Sequence, residues 1–345
     1  METFWYIAVT FMLAMYIVLD GYDFGVGFIY PFVARTESER RAALTAIGPV
    51  WTGNEVWLIG AGGTLFFAFP KAYAAGFSGF YLALIIVLWL LIARGLALEL
   101  RGHLDHPVWR QLWDLALMAS STMLALVFGA ALGNLIRGVP LNRDGYFFVA
   151  LWTDFLTGPN PGILDWFTLL TAATSLAILG MHGASYLAMK TDGELRRRAR
   201  RMAAAASWVS AAFIALVMAA IALVRPSFHL NYEQHPAGFF FPLAGVCAVA
   251  ATIFLRKPEQ EAAAFSASSA LILFMLTGIA WGTYPNILIA TTDPSYSLTV
   301  TNAIAGSYGL QIGLQWFMVA FPLLVIYQVY LHRLFRGKVG SNSSY

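Results

Sequence analysis

The sequence predicts an all-α polytopic membrane protein, on three observations. Of its 345 residues, 59% are hydrophobic and only 11% are charged, and the apolar residues fall in long runs separated by charges or by Gly/Pro clusters. A soluble domain of this size needs about a quarter charged residues to wet its surface. Together with a mean hydropathy of +0.68, this excludes a soluble enzyme, a disordered regulator and a nucleic-acid binder. One pass takes roughly 20 apolar residues, so the chain has enough for about eight to ten.

Nine spans are expected, at about 5–33, 51–70, 74–100, 112–136, 163–189, 203–224, 237–255, 262–284 and 306–334, so that residues 1–345 form a single transmembrane domain. The first run opens Met1-Glu2-Thr3-Phe4-Trp5, with neither a basic leader nor a small-residue cleavage site, and is expected to be a retained helix. The segments 138–162 and 285–305 are rich in Pro, Gly, Asn, Asp and Thr, the composition of irregular but ordered loops. No loop is long enough for a separate domain.

Nine passes put the termini on opposite sides and sort the loops into two sets. One set holds Arg35, Arg40 and Arg41; Arg101 and Arg110; Lys190 and the basic residues of 196–201; Arg256 and Lys257; and Arg333, Arg336 and Lys338. The other holds only Lys71, Arg137, Arg143 and Arg225, with Arg94 inside a span. The positive-inside rule then predicts an outer N-terminus and a cytoplasmic C-terminus. The Arg196 to Arg201 run reads as a topological anchor rather than a nucleic-acid patch.

Ionisable groups inside apolar spans cost roughly 2.5–3.5 kcal/mol each and need a partner, a watery cavity or a role. They are Asp20 and Asp23 in the first span, Glu55 in the second, Arg94 and Glu99 in the third, and Asp114 and His182 nearer span ends. Asp20 and Asp23 share a helix face, and Gly21, Gly25 and Gly27 beside them admit a close neighbouring helix. Arg94 and Glu99, five apart, are not aligned for an intrahelical pair, so Arg94 is expected to reach Asp20, Asp23 or Glu55 on another helix. Two readings compete: a proton path, or a buried ion-pair network that fixes helix positions.

Trp51, Trp57, Trp109 and Trp113 read as interfacial belt residues, and Cys247, the single cysteine, as a small packing residue. Of the six histidines, 103, 106, 182, 229, 235 and 332, only His182 is near an embedded position, which argues against a bis-His haem in this chain. No metal-ligand spacing, phosphate loop or hydrolytic set is present, and no metal site is expected.

Several segments together resemble subunit II of the cytochrome bd quinol oxidases, a family that includes the cyanide-insensitive terminal oxidases. They are Leu19-Asp20-Gly21-Tyr22-Asp23-Phe24-Gly25-Val26-Gly27, Gly48-Pro49-Val50-Trp51-Thr52-Gly53-Asn54-Glu55-Val56-Trp57-Leu58, and Phe69-Pro70 followed by Tyr73 to Tyr81. Arg94 with Glu99-Leu100-Arg101, Trp109-Arg110, Trp113-Asp114, Gly133-Asn134, Gly138-Val139-Pro140, His182-Gly183-Ala184, Tyr186 and Ser297-Leu298-Thr299-Val300 with Asn302-Ala303 continue the match in order over most of the chain.

The resemblance implies two four-helix bundles plus a peripheral helix, and a heterodimer in the bacterial inner membrane. The partner, subunit I, carries two b haems, haem d and the quinol-binding loop. This chain would bind no haem; a structural quinone, lipid and small accessory subunits are further expectations. The complex would oxidise quinol and reduce O2 to water in aerobic respiration. The resemblance also implies a cytoplasmic proton intake at Glu99, with Arg101 and His103 following, and a membrane acid in the Trp51 segment. There Thr52 stands where many members have Asp. A threonine can hold a water but cannot store the proton, so Glu55, at i+3, or Asp23 across the helix interface would substitute. Asp20, Arg94 and Asp114 remain candidates for structural ion pairs. A reading from another class is a secondary transporter with midplane acids and a glycine-broken first helix.

Overall fold

A computed structural model describes residues 1–158, 160–255 and 257–339; Arg256, counted above among the basic loop residues, lies outside them. The chain forms α1 (Glu2–Val33), α2 (Glu37–Ile47), α3 (Trp51–Ala68), α4 (Pro70–Gly79), α5 (Tyr81–Leu100), α6 (Pro107–Arg137), α7 (Trp166–Lys190), α8 (Gly193–Val224), α9 (Leu230–Gln234), α10 (Phe240–Phe254), α11 (Glu261–Thr283) and α12 (Ser307–Leu334). A small antiparallel pair, β1 (Asn286–Leu288) and β2 (Leu298–Thr299), lies in the long loop before α12.

Every expected apolar run falls in a helix. Eight helices are long and apolar enough to cross a membrane: α1, α5, α6, α7, α8, α10 with the turn before it, α11 and α12. α3 is shorter, at 18 residues, and less apolar because Asn54 and Glu55 lie in its first turns.

Three extents differ from expectation. The run 74–100 is not continuous: α4 ends at Gly79 and α5 begins at Tyr81. Pro70 takes the first position of α4, where its missing N–H costs nothing, and it separates α4 from α3. The basic run 196–201 is helical rather than a loop, since α8 starts at Gly193. The first loop holds α2, opened by a capping box in which Thr36 and Glu39 each bond the other's backbone N–H. Its Ala42, Ala43, Leu44, Ala46 and Ile47 are buried.

α1 is the hub, packing on α3, α6, α7 and α11. α1, α3, α5 and α6 make one four-helix group and α7, α8, α10 and α11 a second, while α12 leans on α3. α1 runs unbroken through its glycines. Gly25 lies directly on Gly183 of α7, where a Cβ on either would run into the other's backbone, so the two helices meet at backbone distance.

Loops sort to two ends. At one, the N-terminal turn, the start of α4 and the loops 138–164 and 285–306 share an apolar cluster around Trp5, Phe69, Leu141, Phe147 and Val300, and Val139 and Ala305 bond to Ile289 and Ala68. At the other, α2 and the ends of α5, α7 and α12 meet the starts of α6, α8 and α11 through ion pairs and backbone bonds: Arg101 with Glu37, Arg198 with Glu39, Arg196 with Glu261, and Lys190 with the Phe335 carbonyl. This basic end is the one that the Lys and Arg distribution marked.

Two side chains depart from expectation. Trp57 is 2% exposed and packs in the core beside Phe11 and Phe321, not in an interfacial belt, because it lies on the face of α3 turned to α1 and α12. Cys247 is exposed on α10, so it fills no internal gap.

Candidate functional site

The polar side chains of the first three expected spans meet in one buried cluster. Asp20 and Asp23, three residues apart on α1, point towards α3 and α5. Arg94 of α5 is fully buried and forks: Nη1 donates to Asp20 Oδ1 at 2.7 Å and Nη2 to Glu55 Oε1 at 2.6 Å. Phe24 and Trp51 flank its guanidinium, at 4.6 Å and 5.9 Å from the ring centroids. Asp20 is fully buried, whereas the Glu55 side chain keeps 26% of its surface exposed. One oxygen each of Asp20 and Asp23 is buried without a hydrogen bond among the described residues.

Asn54 holds Asp23. Its Nδ2 faces Tyr22 Oη at 2.8 Å, Asp23 Oδ2 at 2.9 Å and the Leu19 carbonyl at 3.2 Å, three acceptors for two hydrogens. Gln328 of α12 donates to Asn54 Oδ1 at 2.9 Å. His332, one turn further on, has Nδ1 at 3.0 Å from the Gln328 carbonyl. A carbonyl only accepts, so Nδ1 carries the proton and the neutral ring's Nε2 accepts from Tyr22 Oη at 3.0 Å. The thread therefore runs Asp23–Asn54–Tyr22–His332. An amide does not release a proton readily, so Asn54 makes this thread a clamp on Asp23 rather than a conductor.

His182 is buried with both nitrogens engaged: Nε2 faces the Val18 carbonyl at 2.9 Å and Nδ1 faces Ser268 Oγ at 2.7 Å, which ties α7 to α1 and α11. The rings of His182 and Phe265 stack. His103, His106, His229 and His235 are exposed at helix ends. No histidine nitrogen is thus directed into the core for axial ligation of a haem. The described residues include no cluster of His, Cys, Asp and Glu arranged to hold a metal ion.

The remaining predicted residues separate. Arg101 is buried at the basic end, with Nε 2.5 Å from Asp114 and both terminal nitrogens 3.0 Å from Glu37. Arg40 joins Asp114 at 2.8 Å, and Tyr30 also donates to it. Burial opposes the charge on Glu37, but Arg101, Arg41 and Arg110 outweigh it and hold the carboxyl below the ordinary range. Glu39 is depressed in the same sense, its burial outweighed by the backbone N–H groups of Arg35 and Thr36 and by Arg198. Glu99 and His103 are exposed, and His103 Nδ1 contacts the Glu99 carbonyl at 2.9 Å. Thr52 is exposed on α3, one turn from Glu55. Trp51 lies against Gly95, which sets the start of α3 beside the last turns of α5.

Sequence reasoning missed Asn54, Tyr22, Gln328 and His332 as members of the cluster. Asn54 and Tyr22 sat inside quoted segments, and an embedded asparagine beside a glutamate was the available signal. Nothing local marked Gln328 and His332, which reach the cluster only because α12 returns against α3.

A multi-pass helical bundle with a buried carboxylate–arginine cluster, and no histidine aimed into its core, defines an ion-paired integral membrane protein. The profile of the family described as cytochrome bd terminal oxidase subunit II matches residues 1–335, and the chain belongs to that family. Among its relatives are the "Probable cytochrome oxidase subunit 2" of Haemophilus influenzae, 32% identical over 98% of this chain and 95% of that one, and the "Cytochrome bd-I ubiquinol oxidase subunit 2" of Escherichia coli, 32% identical over 97% and 94%. The "Cytochrome bd ubiquinol oxidase subunit 2" of Bacillus subtilis is 30% identical over 97% and 96%. A chain in the structure of bd oxidase from Geobacillus thermodenitrificans superposes with a TM-score of 0.74 at 18% identity, covering 97% of this chain and 98% of that one, which establishes the shared fold. The chain is a bacterial multi-pass membrane protein and a member of an oxidase complex.

Proposed function

We propose that this chain is the haem-free half of a quinol oxidase in the bacterial cytoplasmic membrane, with its basic end in the cytoplasm, and that it delivers protons to a haem-bearing subunit I. Quinol oxidation and O2 reduction to water take place in that partner. The observation that carries the proton role is Glu55: one carboxylate oxygen is pinned by a buried arginine while the side chain stays partly open to the outer face of α3. A carboxylate so held is an ionised acceptor at membrane depth, able to take a proton and pass it on.

In this reading Glu99, exposed at the cytoplasmic end of α5, collects the proton with His103 beside it. Waters held by Thr52 lead to Glu55. Asp20 keeps Arg94 in place, and Asp23, clamped by Asn54, supplies the second buried acid. Arg101 belongs with Asp114 and Glu37 as an anchor of helix ends rather than as a relay. Because Glu99, Thr52 and Glu55 all open outward, the path lies where subunit I would cover α3 and α5.

The structural quinone expected for the complex has a candidate berth. A cavity of about 540 Å³ is lined by apolar residues of α1, α6, α7, α8, α10 and α11, among them Val9, Phe128, Leu179, Met218 and Met275. Its Thr171 and Thr174 hydroxyls are already spent on carbonyls of their own helix, so the walls suit an isoprenoid or acyl chain rather than a polar head.

The test is turnover in complexes that assemble with normal haem content. Glu99→Gln and Glu55→Gln each remove a titrating group without changing shape and are expected to slow quinol-driven oxygen consumption by roughly tenfold or more. Full turnover in both variants would return these residues to a structural role.

A further inference from the structure

The basic end holds a pocket that the proton path does not use. It has a volume of about 280 Å³ and lies between the end of α7, the start of α8, the end of α10 and the start of α11. Its rim carries Arg197, Arg200, Arg201 and Lys257 against one carboxylate, Glu261. That carboxylate is already shared by Arg196, at 2.8 Å, and Arg200, at 3.4 Å, and Arg197 is paired with Glu194 along its own helix. Arg201 and Lys257 have no acidic partner among the described residues.

The pocket's inner wall has a different chemistry. Ala188, Ala203, Ala204, Ala264 and Leu255 line it, and the hydroxyls of Ser185 and Thr252 donate to the carbonyls of Met181 and Val249. Nothing in the wall competes for an anion, and the small side chains leave the space. The first turn of α11 adds the positive end of a helix dipole. Below the rim the outer face of α8 and α10 is apolar: Trp208, one turn beyond Ala204, and Val209, Val246 and Phe254 are exposed there.

A cationic rim at a helix-end level, an alanine-lined recess and an apolar face leading away from it match an amphiphile with a phosphate head. Arginine forks bind phosphate oxygens bidentately, and basic pockets between spans on the cytoplasmic side are suited to anionic lipid heads. With a water's share of volume near 30 Å³, the space equals roughly nine waters, enough for a glycerophosphate. We propose that this pocket binds the phosphate headgroup of an anionic phospholipid, whose acyl chains lie along α8 and α10. The proposal is independent of the proton reading.

The test uses the assembled complex, washed in a phosphorus-free detergent, with lipid extracted and counted by phosphorus assay and mass spectrometry. The wild type is expected to keep about one anionic phospholipid per complex that Arg201→Gln/Lys257→Gln loses. Ala204→Leu, which fills the recess without changing charge, is expected to lose it too and decides the question if the charge variant fails to assemble. Rebinding from micelles doped with phosphatidylglycerol should occur in the wild type and not from micelles doped with phosphatidylcholine. Equal retention in wild type and Ala204→Leu would overturn the proposal. Displacement of the lipid by millimolar inorganic phosphate would overturn the lipid assignment and make the pocket a site for free phosphate.

Discussion

Replacing Arg94 by methionine isolates the energetic role of the buried cluster. Methionine keeps much of the side-chain volume between Phe24 and Trp51 but removes both forks, so Asp20 loses its only ion-pair partner while fully buried. At 2.7 Å and an effective dielectric near 20, the gross attraction of the Asp20–Arg94 pair is about 6 kcal/mol. Most of that offsets desolvation, and removing one member of a buried pair costs about 3–5 kcal/mol because the other charge is stranded. The double variant Asp20→Leu/Arg94→Met strands no fully buried charge, since Glu55 is a quarter exposed. It is therefore expected to lie within about 2 kcal/mol of the wild type. Unfolding in mixed micelles, titrated with a denaturing detergent and followed by fluorescence of the 11 tryptophans, measures all three proteins. The cycle then gives the coupling directly. A double variant as unstable as Arg94→Met alone would refute the ion-pair account and make the loss one of packing.

Two further perturbations test other parts of the structure. Gly25→Ala drives a methyl into the backbone of α7 and should destabilise the assembled protein by several kcal/mol, whereas Gly62→Ala, with open space at its Cβ, should be near neutral; equal thermal stability of the two would mean that α1 and α7 are not in backbone contact. Glu37 and Glu39 have folded pKa values below their unfolded ones, so their contribution is fully present above about pH 4.3 and is lost as pH falls through the lowered folded values. Stability should drop on acidification through that window, and less steeply in Glu37→Gln/Glu39→Gln; identical slopes would remove the cluster from the account of acid sensitivity.

The residues most legible in the sequence were those whose type is costly in a membrane. Asp20, Asp23, Glu55 and Arg94 stood out because an ionisable group in an apolar run demands a reason, and their types alone limited Arg94 to a short list of acids. Asn54, Tyr22, Gln328 and His332 did not stand out. Such groups carry no formal charge when neutral, and their partners lie as far as 310 positions away along the chain.

The sequence by itself determined that the chain is a helical membrane bundle, which end is basic, and that it resembles the subunit II family. These follow from composition, run length and charge distribution, which are local or summed properties needing no knowledge of contacts. Only the tertiary structure decided which acid holds Arg94, that Arg101 turns to Asp114 and Glu37 while Glu99 faces outward, and that the basic run of α8 frames a pocket. Residues 99 and 101 are two apart on one helix, so they diverge by about 200°. Which of the two faces is buried depends on where α2 and α6 come to rest, and that is set by packing across distant segments.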